Sequence, residues 1–381
     1  MKFLFVTAGS PATVFASTPL ASAVRNAGHE VIMAANEDLM TPISHSGIPA
    51  ASIISTPVDY FMWTDSSGGP AKMPQGPRET MLFAGRAFAR MADASLDTLL
   101  DLARDWRPDM VVGGHHAYAA GLGAAHLGVP YARNIWDLVG TEELDEGATE
   151  ILAPQLRKLG LDQLPRPEVL IDVCPPALRS REIAPTVQPI RFLPANEQRP
   201  LEPWMYARDE GRPRVLITVG TRGGPSRAMN AQLLRTLYDA LSALNLEILV
   251  GGLEDVVAEL RAELGDARVG WLPMDVVAPT CDVIVHHGGG VTALTAVSAG
   301  TPQLAVPQED YQIACCRPIT DFGAGILLAP GQGTAERIAQ ACQEILADPE
   351  YKQRAQILAK EIATQPTPAA VAHVLEQRAA G

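Results

Sequence analysis

Positive charge is the scarce ingredient of this chain. Its 381 residues carry 30 lysines and arginines against 43 aspartates and glutamates, a net charge of −13, and no basic run offsets the deficit. Nucleic acids are held through their phosphates by a positive stripe, so DNA and RNA are excluded as partners. Cysteine is scarce as well. Cys174, Cys281, Cys315, Cys316 and Cys342 form an odd, scattered set with no CxxC spacing, which argues against a disulfide framework or a zinc site and for reduced, buried thiols. Long apolar runs are missing too: no window approaches the roughly 18–20 residues a membrane-spanning helix needs. The run Phe3–Val6 breaks after four residues at Thr7-Ala-Gly-Ser-Pro11, too short for a signal-peptide core, and reads as a first buried strand. The expectation is a cytoplasmic protein with a small-molecule partner, no nucleic acid, no membrane and no metal.

What is present is a composition with 47% hydrophobic and 19% charged residues, enough for two ordinary cores. Short apolar runs alternate with longer helical patterns. Strands are expected at Phe3–Thr7, Glu30–Ala34, Asp109–Gly114 and Pro130–Arg133, with helices at Pro19–Ala27, Phe83–Met91, Leu96–Asp105 and Ala117–Leu127. Residues 175–213 then carry eight prolines with little helical period and read as a linker. The alternation restarts with strands at Arg214–Val219, Leu246–Gly251, Arg268–Trp271, Asp282–His287, Gln303–Pro307 and Gly325–Leu328. This alternation predicts the α/β class, with two Rossmann-like domains whose parallel sheets face each other across a cleft and bind ligands at the carboxyl ends of their strands. The expected boundaries are an acceptor domain over 1–195, a linker over 196–213, a nucleotide-sugar domain over 214–365, and a terminal helix within 366–381 that crosses back to the first domain. A homodimer is the working guess for assembly, since no coiled coil or evident interface is present.

The most informative stretch runs from Asp282 to Gly300. The apolar run Val283–Val285 breaks into His286, His287, Gly288, Gly289 and Gly290 and then becomes an Ala/Leu/Val-rich helical pattern. A strand thus delivers a tight turn to a helix start, whose exposed N–H groups and positive dipole end attract a phosphate. The three glycines let that phosphate approach the backbone, and the histidines sit at the same edge. The cradle has neither a P-loop lysine nor the GxGxxG spacing.

These residues resemble the inverting, metal-independent GT-B glycosyltransferases of natural-product pathways. The resemblance rests on His286-His-Gly-Gly-Gly-Val-Thr-Ala-Leu-Thr-Ala-Val-Ser-Ala-Gly-Thr-Pro-Gln303, which is similar to their diphosphate signature, and on Gly270-Trp-Leu-Pro273, Phe322-Gly-Ala-Gly325 and Pro19–Val31. Gly9–Phe15, Trp136-Asp137 and Pro200–Tyr206 carry a closer likeness to the angucycline D-olivosyltransferases of the urdamycin and landomycin type. The resemblance implies that His286, Gly289, Gly290 and the amide of Val291 hold the diphosphate of a dTDP-sugar donor, with Gly220 and Thr221 touching it from the neighbouring loop; since adjacent strand residues point to opposite faces, one of His286 and His287 is expected to be structural and at least one to touch phosphate. Trp271 and Leu272 would flank the thymine, and no further cofactor is implied. Many relatives carry a catalytic histidine six residues before the proline opening the first helix; here that place holds Thr13. The closer relatives share this gap and carry an aspartate that matches Asp137, which is therefore the expected base. In the sugar loop, Tyr311 and Gln312 stand where an Asp-Gln pair is common, a change that suits a deoxysugar with fewer hydroxyls.

The acceptor, an aromatic polyketide aglycone, is expected against Ser10, Thr13, His115 and His116, with Phe61 and Trp63 either a lid or ordinary packing. A phenolate has electron density on oxygen and on its ortho carbon, so O-glycosylation is the preferred reading and C-glycosylation the alternative. An NDP-sugar 2-epimerase and a non-catalytic auxiliary subunit share the same fold and remain the more distant alternatives.

Overall fold

The computed structural model describes the chain except residues 180–186, 209–210, 221–224 and 265–267, and except the side chains of 225–227, 255, 259 and 264. The described residues within Met1–Val173, 187–191 and Gln365–Gly381 form one compact unit, and those within 174–179 and Phe192–Thr364 form a second. Both are α/β units built on parallel sheets.

The first sheet contains β1 (Lys2–Val6), β2 (Glu30–Asn36), β3 (Ala50–Ile54), β4 (Met110–Gly114), β5 (Tyr131–Ile135), β6 (Val169–Asp172) and β7 (Val187–Pro189), in the order β3-β2-β1-β4-β5-β6-β7. Every pair is parallel. Because such a sheet is covered on both faces, its central strands need apolar side chains on both, and Phe3, Leu4, Phe5 and Val6 are all buried. Leu4, Val6 and Val111 pack under helices Pro77–Trp106, Tyr118–Leu127 and Glu142–Lys158. Helix Pro11–Asn26 lies outside that cluster and packs with the terminal helix Pro368–Ala379. Thr367 caps that last helix by accepting from the Ala370 amide, and the Arg191 amide donates to the Pro366 carbonyl, so the chain end belongs to the first unit.

The second sheet contains β8 (Arg214–Thr218), β9 (Glu247–Gly251), β10 (Arg268–Gly270), β11 (Val283–His286), β12 (Gln303–Ala305) and β13 (Gly325–Leu327), in the order β10-β9-β8-β11-β12-β13. Val215, Ile217, Val283 and Val285 face helices that follow β8, β9 and β13, and Leu216, Leu249 and Ile284 face the other way, towards Met205, Leu272 and Ala296.

Several elements differ from the sequence expectation. The first helix starts at Pro11, not Pro19, and Pro19 lies inside it. Proline suits the first helical turn, and the interior proline is tolerated where the hydroxyls of Ser17 and Thr18 bond to the carbonyls of Thr13 and Val14. The described residues of the 196–213 stretch, read as a linker, belong to the second unit. Asn196 Nδ2 donates to Asp275 Oδ1 at 2.8 Å, its Oδ1 accepts from the Met274 amide at 2.7 Å, and Met205 is a core residue. Beneath them Arg214, 1% exposed, is held by Glu247, Thr280 and the carbonyls of Trp204 and Ala207. The strand β7 was hidden in the same proline-dense stretch. It ends on Pro189 at the sheet edge, where the missing N–H breaks no inner ladder.

Helices Pro77–Trp106 and Glu142–Lys158 cross at van der Waals limits. A Cβ on Gly85 would lie 2.0 Å from the Leu144 carbonyl oxygen, and one on Gly147 would lie 2.2 Å from that of Leu82. Arg78–Glu146 and Arg86–Glu150 ion pairs, each at 2.7 Å, flank the crossing. Gly85→Ala or Gly147→Ala is expected to lower stability by at least about 2 kcal/mol, the range of an overpacked core, because the obstacle is backbone and cannot swing away. Denaturant unfolding curves check this, and a loss below about 0.5 kcal/mol would show that the helices separate freely.

Candidate active site

Both sheets reverse strand order once, between β1 and β4 in the first and between β8 and β11 in the second. At such a point neighbouring strands send their chains to opposite faces and leave a crevice at their carboxyl ends. Each unit places its candidate residues there.

In the first unit, the turns after β1, β4 and β5 meet. Ser10 caps the first helix and Thr13 sits in its first turn. The Thr13 hydroxyl donates to the Ser10 carbonyl at 2.9 Å and accepts from the Thr7 hydroxyl at 2.9 Å, so it braces this turn and cannot serve as a base. After β4, His115 and His116 share a hydrogen bond between their Nε2 atoms at 2.8 Å. His115 stacks on Trp136 with centroids 4.4 Å apart, and His116 stacks on Phe88 at 4.4 Å. Asp137, 1% exposed, accepts from the Val139 amide at 3.0 Å and places Oδ1 4.0 Å from His115 Nε2. The turn is fixed from behind by Arg133, whose guanidinium grips Asp145 bidentately at 2.7 Å and donates to the His115 carbonyl at 2.6 Å. Tyr118 donates to the same carboxylate at 3.1 Å. Burial first, then His116 and Arg133, hold His115 well below the usual histidine range, so its ring is neutral.

Phe61 is buried against Ala87 and Met91, with the Arg90 guanidinium 6.0 Å from its ring, and therefore packs the fold. Trp63 is half-buried at the end of the same short helix, and its carbonyl accepts from the Ala71 amide at 2.9 Å.

In the second unit, β8 and β11 pair with His286 beside Thr218, which brings Gly220 next to the glycine turn. His286 is fully buried. Its Nδ1 accepts from the Gly288 amide at 3.0 Å, so the ring proton is on Nε2 and donates to Gln303 Oε1 at 2.8 Å. Both ring nitrogens are thus used inside the protein. This corrects the expectation that His286 grips the diphosphate; its ring shapes the glycine turn. Gly288 has φ of +93° and a Cβ there would meet Gln312, so only glycine makes this bend without strain. The neighbouring His287 ring is buried but keeps 9% exposure. A Cβ on Gly289 or Gly220 would come 2.6 or 2.8 Å from its Nε2, so both glycines make room for it. Helix Gly290–Ser298 begins with Gly289 as its cap and has no side-chain capping bond, which presents the amides of Gly290 and Val291 at its positive end.

The remaining expected contacts are partly committed elsewhere. Trp271 donates its indole N–H to the Glu197 carbonyl at 2.9 Å and has the Arg199 guanidinium 5.5 Å from its ring. The Leu272 side chain is in the core, so only its backbone is available to a base. Gln312 Oε1 accepts from the Gln308 amide at 2.7 Å and is buried, whereas Tyr311 beside it is half-buried. Thr221 lies outside the described residues. Among the described residues, no group of three or more His, Cys, Asp or Glu side chains is placed to hold a metal ion, and no helix is long and apolar enough to cross a membrane.

Comparison with known proteins decides what this arrangement belongs to. The model of the N-terminal domain of erythromycin biosynthesis protein CIII-like proteins matches residues 22–220, and that of their C-terminal domain matches residues 235–377. The chain is an erythromycin biosynthesis protein CIII-like glycosyltransferase. It is 32% identical to an L-demethylnoviosyl transferase of Streptomyces niveus, over 99% of both chains. It is 31% identical to a TDP-daunosamine transferase of Streptomyces peucetius, over 99% of this chain and 96% of that one. Among solved structures, the glycosyltransferase SsfS6 of Streptomyces sp. SF2575 superposes with a TM-score of 0.85 at 30% identity, covering 99% of this chain and 100% of that one. The spinosyn rhamnosyltransferase SpnG gives 0.84 at 30% identity, with the same coverage. SsfS6 and SpnG have each been solved with thymidine diphosphate, and SpnG also with spinosyn aglycone. The fold of this CIII-like glycosyltransferase is therefore GT-B, with two Rossmann-like domains.

In this family member the residues that hold the site in shape were the hardest to find beforehand. Arg133, Tyr118 and Asp145 are drawn from separate elements and no spacing connects them, whereas Gln303 closed a quoted motif without any sign of its bond to His286. Trp136 stood in a quoted motif, but its stacking on His115 depends on β4 and β5 being neighbours.

Burial pushes the His286 ring down to about 4 from its usual 6.5, against the Gln303 bond that raises it. Below pH 6.5 the unfolded chain takes up a proton that the folded ring refuses until about pH 4, so stability is lost as pH falls through that window and is unaffected above it. One such ring contributes up to about 1.4 kcal/mol per pH unit, and neutral His115 adds to the same slope. Unfolding free energies measured from pH 8 to 4 should fall across this range, with a shallower fall in His286→Gln; equal slopes would remove His286 as a cause.

Proposed function

We propose that this glycosyltransferase transfers a deoxysugar, D-olivose by its closer likeness, from a dTDP donor to a phenolic oxygen of an aromatic polyketide of the angucyclinone class, with inversion at C1. Deoxysugar transferases of antibiotic biosynthesis are its relatives over nearly the whole chain, and the two structural neighbours that bind thymidine diphosphate support a dTDP donor.

The observation that carries the reading is the buried carboxylate of Asp137 beside a neutral histidine at the carboxyl end of β5. Attack on C1 requires that the acceptor lose its proton while the diphosphate leaves with the C1–O electron pair. Asp137 supplies the negative charge that draws the proton away, and acid–base help of this kind contributes roughly 10²–10⁴-fold. The leaving diphosphate is stabilised by the amides of Gly290 and Val291, the positive end of their helix and the His287 ring, with Gly220 and Gly289 leaving that ring its space. Thymine stacks on Trp271, whose plane is set by its bond to the Glu197 carbonyl. Tyr311, at the start of the helix Asp310–Asp321, takes the place of an acid that would grip sugar hydroxyls, which favours a donor poor in them. The aromatic walls made by Phe88, Trp136 and the two histidines suit a planar acceptor.

Incubation of the protein with dTDP-D-olivose and a panel of angucyclinones and anthraquinones should yield a glycoside whose anomeric carbon is bonded to oxygen; NMR of the product distinguishes this from attachment to the ortho carbon. Consumption of donor with no acceptor present would point instead to an epimerase. Asp137→Asn should lower turnover by about 10²–10⁴-fold while thymidine diphosphate affinity, measured by calorimetry, changes by less than about twofold. His287→Ala should weaken thymidine diphosphate binding about tenfold, the loss of one charge-assisted hydrogen bond. An unchanged affinity would remove His287 from the donor site.

A further inference from the structure

We propose that the acceptor proton is received by His116 and passed through His115 towards Asp137, so that the carboxylate acts on the substrate through a two-ring relay. This rests on the reading above that Asp137 drives deprotonation.

The case is geometric. The Asp137 and His115 side chains are both 0% exposed, Asp137 behind its bond to the Val139 amide and His115 flat against Trp136. His116 retains 5% exposure and is joined to His115 through the 2.8 Å Nε2–Nε2 hydrogen bond. The same His115 Nε2 that meets His116 lies 4.0 Å from Asp137 Oδ1. One nitrogen is therefore flanked by a proton donor on one side and a carboxylate on the other. Phe88 covers one face of His116.

The step balances. The acceptor O–H bond breaks and its proton binds a ring nitrogen of His116. The proton on His116 Nε2 passes to His115 Nε2, leaving His116 neutral in its other tautomer and His115 cationic beside the Asp137 carboxylate. The freed electron pair on the acceptor oxygen forms the bond to C1 of the sugar, and the C1–O pair departs with the diphosphate.

The groups facing the pair come from every neighbouring element. Asp137 follows β5, Arg133 lies on β5, and Asp145 and Tyr118 reach the pair through Arg133 from the helices Glu142–Lys158 and Tyr118–Leu127. Phe88 and Trp136 add apolar walls. The Arg133 bond to the His115 carbonyl keeps His115 in place, while burial first, then His116 and Arg133, keep its ring neutral before reaction, so it takes a proton only against a countercharge. The Asp137 carboxylate, 4.0 Å from His115 Nε2, then offers that countercharge.

Two measurements test the relay. In protein labelled with ¹⁵N in its histidine rings, His115 and His116 should titrate as a coupled pair, and Asp137→Asn should lower the pair's first apparent pKa by about one unit or more; a shift under about 0.3 unit would overturn the relay. In turnover with the acceptor found above, His116→Ala and His116→Gln should both lose about 10²–10⁴-fold, with thymidine diphosphate affinity unchanged as evidence of folding. His116→Gly should regain part of its rate on addition of imidazole, in saturable fashion, as a lost structural contact would not. If Asp137→Asn is inactive but the His116 variants keep more than about a tenth of the rate, the relay is wrong and the Asp137 reading stands. If Asp137→Asn is itself active, that reading fails and the relay with it.

Discussion

Parallel strands whose crossovers leave on opposite faces cannot close the gap between them at their carboxyl ends. That topological opening is the constraint on which this molecule depends. In the second unit, the helix after β8 covers Val215 and Ile217 while the helix after β11 covers Leu216 and Ile284, and the turns at 219–220 and 287–290 are left side by side. In the first unit, the chain leaving β1 joins the terminal helix on one face and the chain leaving β4 enters the cluster of Leu99, Leu122 and Leu152 on the other. Each opening then collects whatever polar side chains the strand ends carry.

Polar groups placed there are costly unless they are bonded, and both openings resolve this by tying functional turns to buried partners. His286 satisfies its two nitrogens with Gly288 and Gln303 and in doing so sets the bend that exposes the helix start. Arg133 serves the same end for the histidine pair: a guanidinium that would be expensive alone is neutralised by Asp145 and spends its remaining bond on the His115 carbonyl. Asp145 in turn depends on a helix that approaches only because Gly85 and Gly147 have no side chains. A packing feature far from any ligand therefore holds the chemistry in register.

Much of this could be read from the chain, and the failures are instructive. The strands β1, β4, β8 and β11 are largely apolar runs, as buried parallel strands must be, and were legible for that reason. The strands β3, β6 and β7 were not: Ala50-Ala-Ser lacks a strong β signal, Val169–Asp172 is four residues long and runs into the proline-dense stretch, and Val187–Pro189 is three residues long. The glycine turn was visible because its composition has few other uses. The division of labour between His286 and His287 was not, since adjacent residues on a strand point to opposite faces and only the sheet says which face holds Gln303.

The sequence by itself determined the class of sheet, the family likeness and the phosphate-seeking turn, because these follow from local periodicity and from backbone freedom encoded in consecutive residues. The tertiary structure alone decided which imidazole is bonded within the fold at both nitrogens, why Thr13 cannot replace a histidine, and that His115 meets both His116 and Asp137. Those outcomes depend on hydrogen bonds and ring contacts between β4, β5 and helices distant in the chain, and a bond between distant residues leaves no periodic trace in the order of amino acids.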